Sequence, residues 1–68
     1  MHLSELILEL KQRRETLKVT QEELADISGV GLRTLKQFES GKGNPTVQTL
    51  SKLGDALGLK LKFEIKEI

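Results

Sequence analysis

The stretch that decides the fold is Thr20–Pro45, TQEELADISGVGLRTLKQFESGKGNP. Thr20 with Glu23 three residues on is a capping-box pattern. The threonine hydroxyl can accept from the backbone N–H of Glu23, and the Glu23 carboxylate can reach back to the cap. Val19 and Leu24 flank that cap in the positions of a hydrophobic staple. A short helix is therefore expected over 20–28, with Leu24, Ala25 and Ile27 facing inward. Gly29 follows where a left-handed residue closes a helix. Val30 is then expected to be buried in the turn, with Gly31 opening a second helix over 31–40. Leu35 and Phe38, three apart, give that second helix one apolar face. Arg33, Thr34, Lys36 and Gln37 lie off that face and are available to a partner. Gly41 ends the helix, and Lys42-Gly43-Asn44-Pro45 reads as a loop.

Upstream, Leu3, Leu6, Ile7 and Leu10 follow the i, i+3, i+4, i+7 spacing of an amphipathic helix, expected over about 3–17. Leu8 falls outside the stripe, either exposed or against a second subunit. One turn beyond Leu10 the same face holds Arg14. A guanidinium directed at a small core needs a partner, and Glu39, next to the inward Phe38, is the candidate. The other reading leaves Arg14 on the surface. Downstream, Pro45 fixes the entry and Thr46 can cap a helix over about 46–57. Its inner stripe is Val47, Leu50, Leu53, Ala56 and Leu57, and Gly58 closes it.

Then the period changes. From Leu59 to Lys66 apolar and charged residues alternate without a break, the pattern of a strand over about 59–66 with one buried face. Leu59, Leu61, Phe63 and Ile65 point one way; Lys60, Lys62, Glu64 and Lys66 point the other. No other segment reads as a strand, and a lone strand leaves its backbone donors and acceptors unpaired. A second copy paired antiparallel across a two-fold axis satisfies them. The four apolar residues are thus the expected dimerisation contacts of a homodimer; the competing reading is a frayed tail.

Sixty-eight residues make one domain, expected to span 1–68. Such a chain buries a small core and needs tight packing or association to be stable. It has no cysteine, and His2 is its only histidine, so neither a disulfide nor a metal site is expected. The absence of cysteine fits a reducing cytoplasm. Met1 is followed within a few residues by charged groups and no apolar run, so no signal peptide and no membrane contact are expected. The net charge of +1 says little, but its distribution says more. Between Val30 and Pro45 stand Arg33, Lys36 and Lys42 against the single acid Glu39, while Glu22, Glu23 and Asp26 cluster on the preceding helix. A locally basic surface thus sits in a nearly neutral chain; a merely solvated charged face is the alternative. An enzyme reading is poor. No nucleophile–base arrangement can be argued, and GKGNP follows no strand, so it is a turn rather than a nucleotide loop. No catalytic residue and no cofactor is expected.

Gln21 and Leu24-Ala25 in the first helix, Gly29-Val30 in the turn, Glu39-x-Gly41 at the end of the second, and Asn44-Pro45 after it together resemble the helix-turn-helix of the phage repressor/Cro (XRE) family of DNA-binding domains. The resemblance covers about 26 of the 68 residues and extends more weakly into the flanking helices. It implies a mainly α fold: a lambda-repressor-like bundle of four helices, to which the C-terminal strand is added across the homodimer. It also implies a transcriptional regulator, most simply a repressor, acting on double-stranded DNA. A helix of this kind enters the major groove with its N-terminal residues at the base edges. Arg33 is suited to guanine O6/N7, Gln37 to adenine N6/N7 and Leu32 to a thymine methyl, and these three positions are the family's usual base readers. Gln21 matches a residue that grips a phosphate, and Lys42 and Asn44 lie in the family's backbone-tracking loop; Thr34 and Lys36 can serve either purpose. The family also carries a buried arginine–glutamate pair at the positions of Arg14 and Glu39. One departure is Gly31, where serine or threonine commonly caps the second helix and supplies a side-chain oxygen. Two units with their helices about 34 Å apart would read the half-sites of a palindromic operator. The order of helix-turn-helix, Thr46 helix and Leu59 strand also resembles antitoxins that hold Hip-type kinase toxins, which adds a toxin protein as an alternative partner.

Overall fold

Thr20 and Thr46 show how local chemistry starts two of the helices. In a computed structural model, which describes residues 3–62, both threonines sit in extended backbone and accept at their hydroxyls from the N–H three residues on. The caps themselves stay outside the helices they start. The elements are α1 (Leu3–Thr16), α2 (Gln21–Ser28), α3 (Leu32–Glu39) and α4 (Val47–Ala56). At Thr20 the box is reciprocal: Glu23 N donates to Thr20 Oγ1 and Thr20 N donates to Glu23 Oε1, each at 3.0 Å. The Glu23 carboxyl is accordingly held below its usual range, first by the backbone N–H of Thr20 and then by the threonine side chain.

The α2–α3 turn follows from Ser28 and Gly29. Gly29 adopts φ +75°, and its N–H donates to Ala25 O. That left-handed conformation costs an L side chain about 1–2 kcal/mol and glycine almost nothing. Ser28 Oγ accepts from Val30 N at 3.2 Å, which draws Val30 into the core. The end of α1 closes without a glycine and with a different pattern, a pair of hydrogen bonds in place of the single one at Gly29. Lys18 takes φ +57°, Lys18 N donates to Glu15 O and Val19 N to Arg14 O.

Every helix contributes to one core: Leu10 from α1, Leu24 from α2, Leu35 and Phe38 from α3, Leu53 from α4, with Val30 and Leu57 from the connections. Helix α2 packs on α3 and α4, and α1 packs on α3. Three expected inward residues lie elsewhere. Ile27 is 61% exposed and Val47 68% exposed, and Leu3 is exposed as well. Each sits near the end of its helix, where the stripe runs past the edge of the neighbour it packs on. Leu8 is exposed. Gly54, buried within α4, is explained by the chain that follows. Leu59 N donates to Gly54 O at 2.8 Å, and a Cβ at position 54 would meet Leu59 O at 3.4 Å. Leu59 thereby packs against the core. Residues 59–62 take no regular structure in the single chain, and Leu61 is exposed. The remainder of the expected strand, Phe63 and Ile65 included, lies outside the described residues.

Candidate nucleic-acid interface

Helix α3 is amphipathic by construction. With Leu35 and Phe38 turned into the core, the opposite side carries Arg33 and Gln37 one turn apart, with Lys36 and Thr34 beside them, all exposed. Leu32, at the start of the helix, is half-buried. Gly31 caps the helix with φ −59° and ψ 142° and supplies no side-chain hydrogen bond. The first N–H groups of α3 therefore end in an open, glycine-bounded turn.

The loop after α3 is drawn back along it. Gly41 N donates to Phe38 O and Lys42 N to Gln37 O at 2.9 Å. Ser40 Oγ donates to the same Gln37 carbonyl. Gly43 packs near enough to Gln37 that a Cβ there would stand 3.9 Å from Gln37 Oε1. The backbone at Lys42 and Gly43 is thus held against Gln37, and Lys42 and Asn44 are both exposed.

The charge of this surface is set by where Glu39 goes. Arg14 of α1 approaches it with two N–H groups, Nε to Oε2 at 2.7 Å and Nη2 to Oε1 at 2.9 Å. Arg14 Nη1 donates to Val19 O at 2.8 Å, and Gln21 Nε2 of α2 donates to Glu39 Oε1 at 3.1 Å. The two charged side chains keep only 11% and 5% of their surface exposed. The bidentate bond to Glu39 raises the Arg14 pKa above its ordinary value, against an opposing contribution from burial. The sole acid between Val30 and Pro45 is consequently turned inward and neutralised. Outwardly this stretch presents Arg33, Lys36 and Lys42 with no exposed carboxylate. Among the described residues no group of acids or histidines is arranged to hold a metal ion, and no helix is long and apolar enough to cross a membrane.

A family model described as "Helix-turn-helix" (HTH_3) matches residues 10–63. The chain belongs to the helix-turn-helix family of the phage repressor/Cro type. The chain is 38% identical over 52 residues to the cryptic phage CTXphi transcriptional repressor RstR of Vibrio cholerae, a match covering 76% of this chain and 46% of that protein. It is 42% identical over 59 residues to multiprotein-bridging factor 1a of Arabidopsis thaliana, covering 87% and 42%. With the SPbeta prophage-derived HTH-type transcriptional regulator YonR of Bacillus subtilis it shares 33% over 57 residues, covering 84% and 53%. The chain thus spans about half, or somewhat less, of the length of these relatives.

Within this helix-turn-helix domain, two contacts had no local signal. The Gln21 side chain is half-buried and donates to Glu39, so its amide is already engaged by the ion pair. Arg13 Nε donates to Leu57 O at 3.0 Å and ties α1 to the end of α4. Both join positions far apart in the chain. The Ser28 brace does have a local signal, not drawn on in the reading of the turn above: serine before glycine at a helix end is a turn-forming pair whose hydroxyl bonds a nearby N–H.

Proposed function

We propose that this domain is a sequence-specific double-stranded DNA-binding transcriptional regulator, most simply a repressor, acting as a homodimer on a palindromic operator. The observation that carries the reading is the exposed face of α3 with its following loop: three cations and two amide side chains, with the only carboxylate withdrawn into an ion pair. That combination suits both halves of DNA recognition. Arg33 and Gln37, one turn apart, match the spacing needed to address guanine and adenine edges in the major groove, and Leu32 can meet a thymine methyl. Lys42 and Asn44, exposed in the loop after α3, suit phosphate oxygens, as does Gln21; Thr34 and Lys36 can serve either. Base contacts of this kind are worth about 1–3 kcal/mol each, too little for tight selection by one unit. Two units read two half-sites, with the alternating segment Leu59–Lys66 as the dimerisation element through Leu59, Leu61, Phe63 and Ile65. The names of two relatives, a transcriptional repressor and an HTH-type transcriptional regulator, support the regulatory assignment.

The test is selection of bound duplexes from a random pool, followed by titration against salt. A palindromic consensus is expected, with affinity falling steeply as salt rises, by close to one log unit per log unit of salt for each phosphate contact. Arg33→Ala should relax preference at one position, whereas Lys42→Ala should weaken all sequences alike and flatten the salt slope by about one. Equal, uniform losses from both would refute the division into base readers and phosphate contacts. An antitoxin reading, with a toxin protein as a second partner, requires a protein-binding surface outside α3. Unchanged DNA binding by a chain held in a stable complex with a kinase-type toxin would favour it.

A further inference from the structure

Gln37 differs from the other exposed side chains of α3 in how closely the following loop is folded onto it. Its backbone carbonyl accepts twice, from Ser40 Oγ and Lys42 N, each at 2.9 Å. Gly43 then lies alongside the side chain itself. A Cβ at that position would stand 3.9 Å from Gln37 Oε1 and 4.0 Å from Gln37 Cβ, in contact with both ends of the side chain. Gly43 holds φ +81°, a backbone region that glycine enters at almost no cost. Among the described residues the Gln37 carboxamide makes no hydrogen bond, whereas the Gln21 carboxamide is engaged by Glu39. The loop thus flanks Gln37 without using its polar end.

We infer that Gly43 is a specificity-determining residue of the proposed DNA site. Lacking a side chain, it lets the loop backbone flank Gln37 and leaves the carboxamide able to address a base. The inference rests on the assignment of Gln37 as a base reader, and adds a position that itself touches no base. Reading adenine takes one acceptor and one donor from the same carboxamide, in a bidentate pair with N6 and N7. A polar side chain at position 43 would start 3.9 Å from Gln37 Oε1. Its next atoms would come within hydrogen-bond distance, about 2.7–3.2 Å, and compete with adenine for the same group. Bare backbone at Gly43 offers no such competitor. It also walls one side of Gln37, which removes part of the rotamer freedom that a surface glutamine otherwise loses on binding. Gly41 supplies an internal comparison. It holds φ +80°, nearly the angle of Gly43, but a Cβ there would meet nothing within 4 Å. A substitution at either glycine carries the same left-handed strain, and only the one at position 43 meets Gln37.

Base preference at each operator position, read by selection from a random duplex pool, tests this for Gly43→Asn and Gly41→Asn, each alone and combined with Gln37→Ala. Asparagine is the side chain that best tolerates left-handed backbone, so both variants should fold, with similar falls in thermal midpoint. Gly41→Asn should keep the base preferences of the unsubstituted chain. Gly43→Asn should lower preference about fivefold or more at the one base pair whose preference Gln37→Ala abolishes, and leave the pair read by Arg33 as it was. In the Gln37→Ala background, Gly43→Asn should change no base preference. Gly43→Ser, with a smaller polar group, should shift preference at the same base pair in the same direction, and carries the test if the asparagine variant unfolds. Preference at that pair untouched by the position-43 variants overturns the inference. So does an equal loss from Gly41→Asn, or an effect of Gly43→Asn that persists without Gln37, since either marks a purely structural role for the glycine. In each of these cases the effect of Gln37→Ala stands and the base-reader assignment with it. A Gln37→Ala variant with unaltered base preferences overturns both.

Discussion

Removing either partner of the Arg14–Glu39 pair should cost this domain a large share of its stability, and removing both should restore most of it. Glu39→Leu deletes the acceptor for three N–H groups, two from Arg14 and one from Gln21. Arg14 then keeps only its bond to Val19 O, as a charge whose side chain is 11% exposed. Breaking a buried pair from one side costs about 3–5 kcal/mol. At roughly 0.05–0.15 kcal/mol per residue, a chain of this size has about 3–10 kcal/mol in total. For so small a domain each kcal/mol is about 4–8 °C, so Tm should fall by roughly 12–40 °C. Arg14→Met should fall in the same range by stranding the carboxylate. The double variant Arg14→Met/Glu39→Leu replaces the pair with apolar groups of similar size, a change that is commonly near neutral. The cycle should therefore show a coupling of at least about 3 kcal/mol. Urea denaturation followed by circular dichroism at fixed protein concentration measures all four corners. The raised Arg14 pKa sets the sign with pH: the stabilisation is complete below the ordinary arginine value and is lost only as pH rises through the still higher folded value. The coupling should consequently be flat across neutral pH. Single variants costing under about 1 kcal/mol each, with an additive double, would show an ordinary surface pair and refute the reasoning.

Other expectations concern the caps and turns. Because the Glu23 carboxyl is held below its usual range, its contribution is present above the unfolded value and is lost as pH falls through the folded value; Glu23→Gln should flatten the acid limb of urea midpoints plotted against pH, and an unaltered limb would contradict the capping box. Lys18→Gly should raise stability by about 0.5–1 kcal/mol, the left-handed strain relieved at φ +57° less the added chain entropy; a loss in the urea midpoint would show that Lys18 is not strained. Gly31→Ser should add a few tenths of a kcal/mol, since a side chain there meets nothing nearer than Thr34 Oγ1 at 3.9 Å, and the new hydroxyl should protect the Thr34 amide in hydrogen exchange.

The sequence disclosed what short-range chemistry fixes. Thr20 with Glu23, Gly29-Val30 and Thr46 each act within three or four residues, and the two caps and the turn follow from them. The inward pair Leu35 and Phe38 was equally plain, because both lie mid-helix where neighbours cover them. Periodicity misled at Ile27 and Val47. An eight-residue helix such as α2 has barely two turns, and the direction of its stripe does not say how far the neighbouring helix extends. The Arg14–Glu39 bond was legible as an anomaly, a charge on an apolar stripe that required an answer. The donation from Gln21 to the same carboxylate was not, since nothing local in an exposed-looking glutamine reports a partner 18 residues away. The alternation after Gly58 says that one face of that segment wants cover, but none of the elements among the described residues is a strand that could pair with it.

Glu39 links the stability of this domain to the face proposed to meet DNA. It sits two residues beyond Gln37 on α3 and is held by Arg14 from α1 and Gln21 from α2. A carboxylate left exposed at that point would repel phosphate and weaken the field of Arg33, Lys36 and Lys42. Turned inward, it removes the only opposing charge from the surface and fixes the rotation of α3 about its axis. The same rotation decides whether Arg33 and Gln37 face outward together. On the proposed reading, three residues outside the base-reading set therefore determine which side chains face DNA, and a bundle with so small a core holds α3 in one orientation because an ion pair from α1 and a hydrogen bond from α2 clamp the end of that helix.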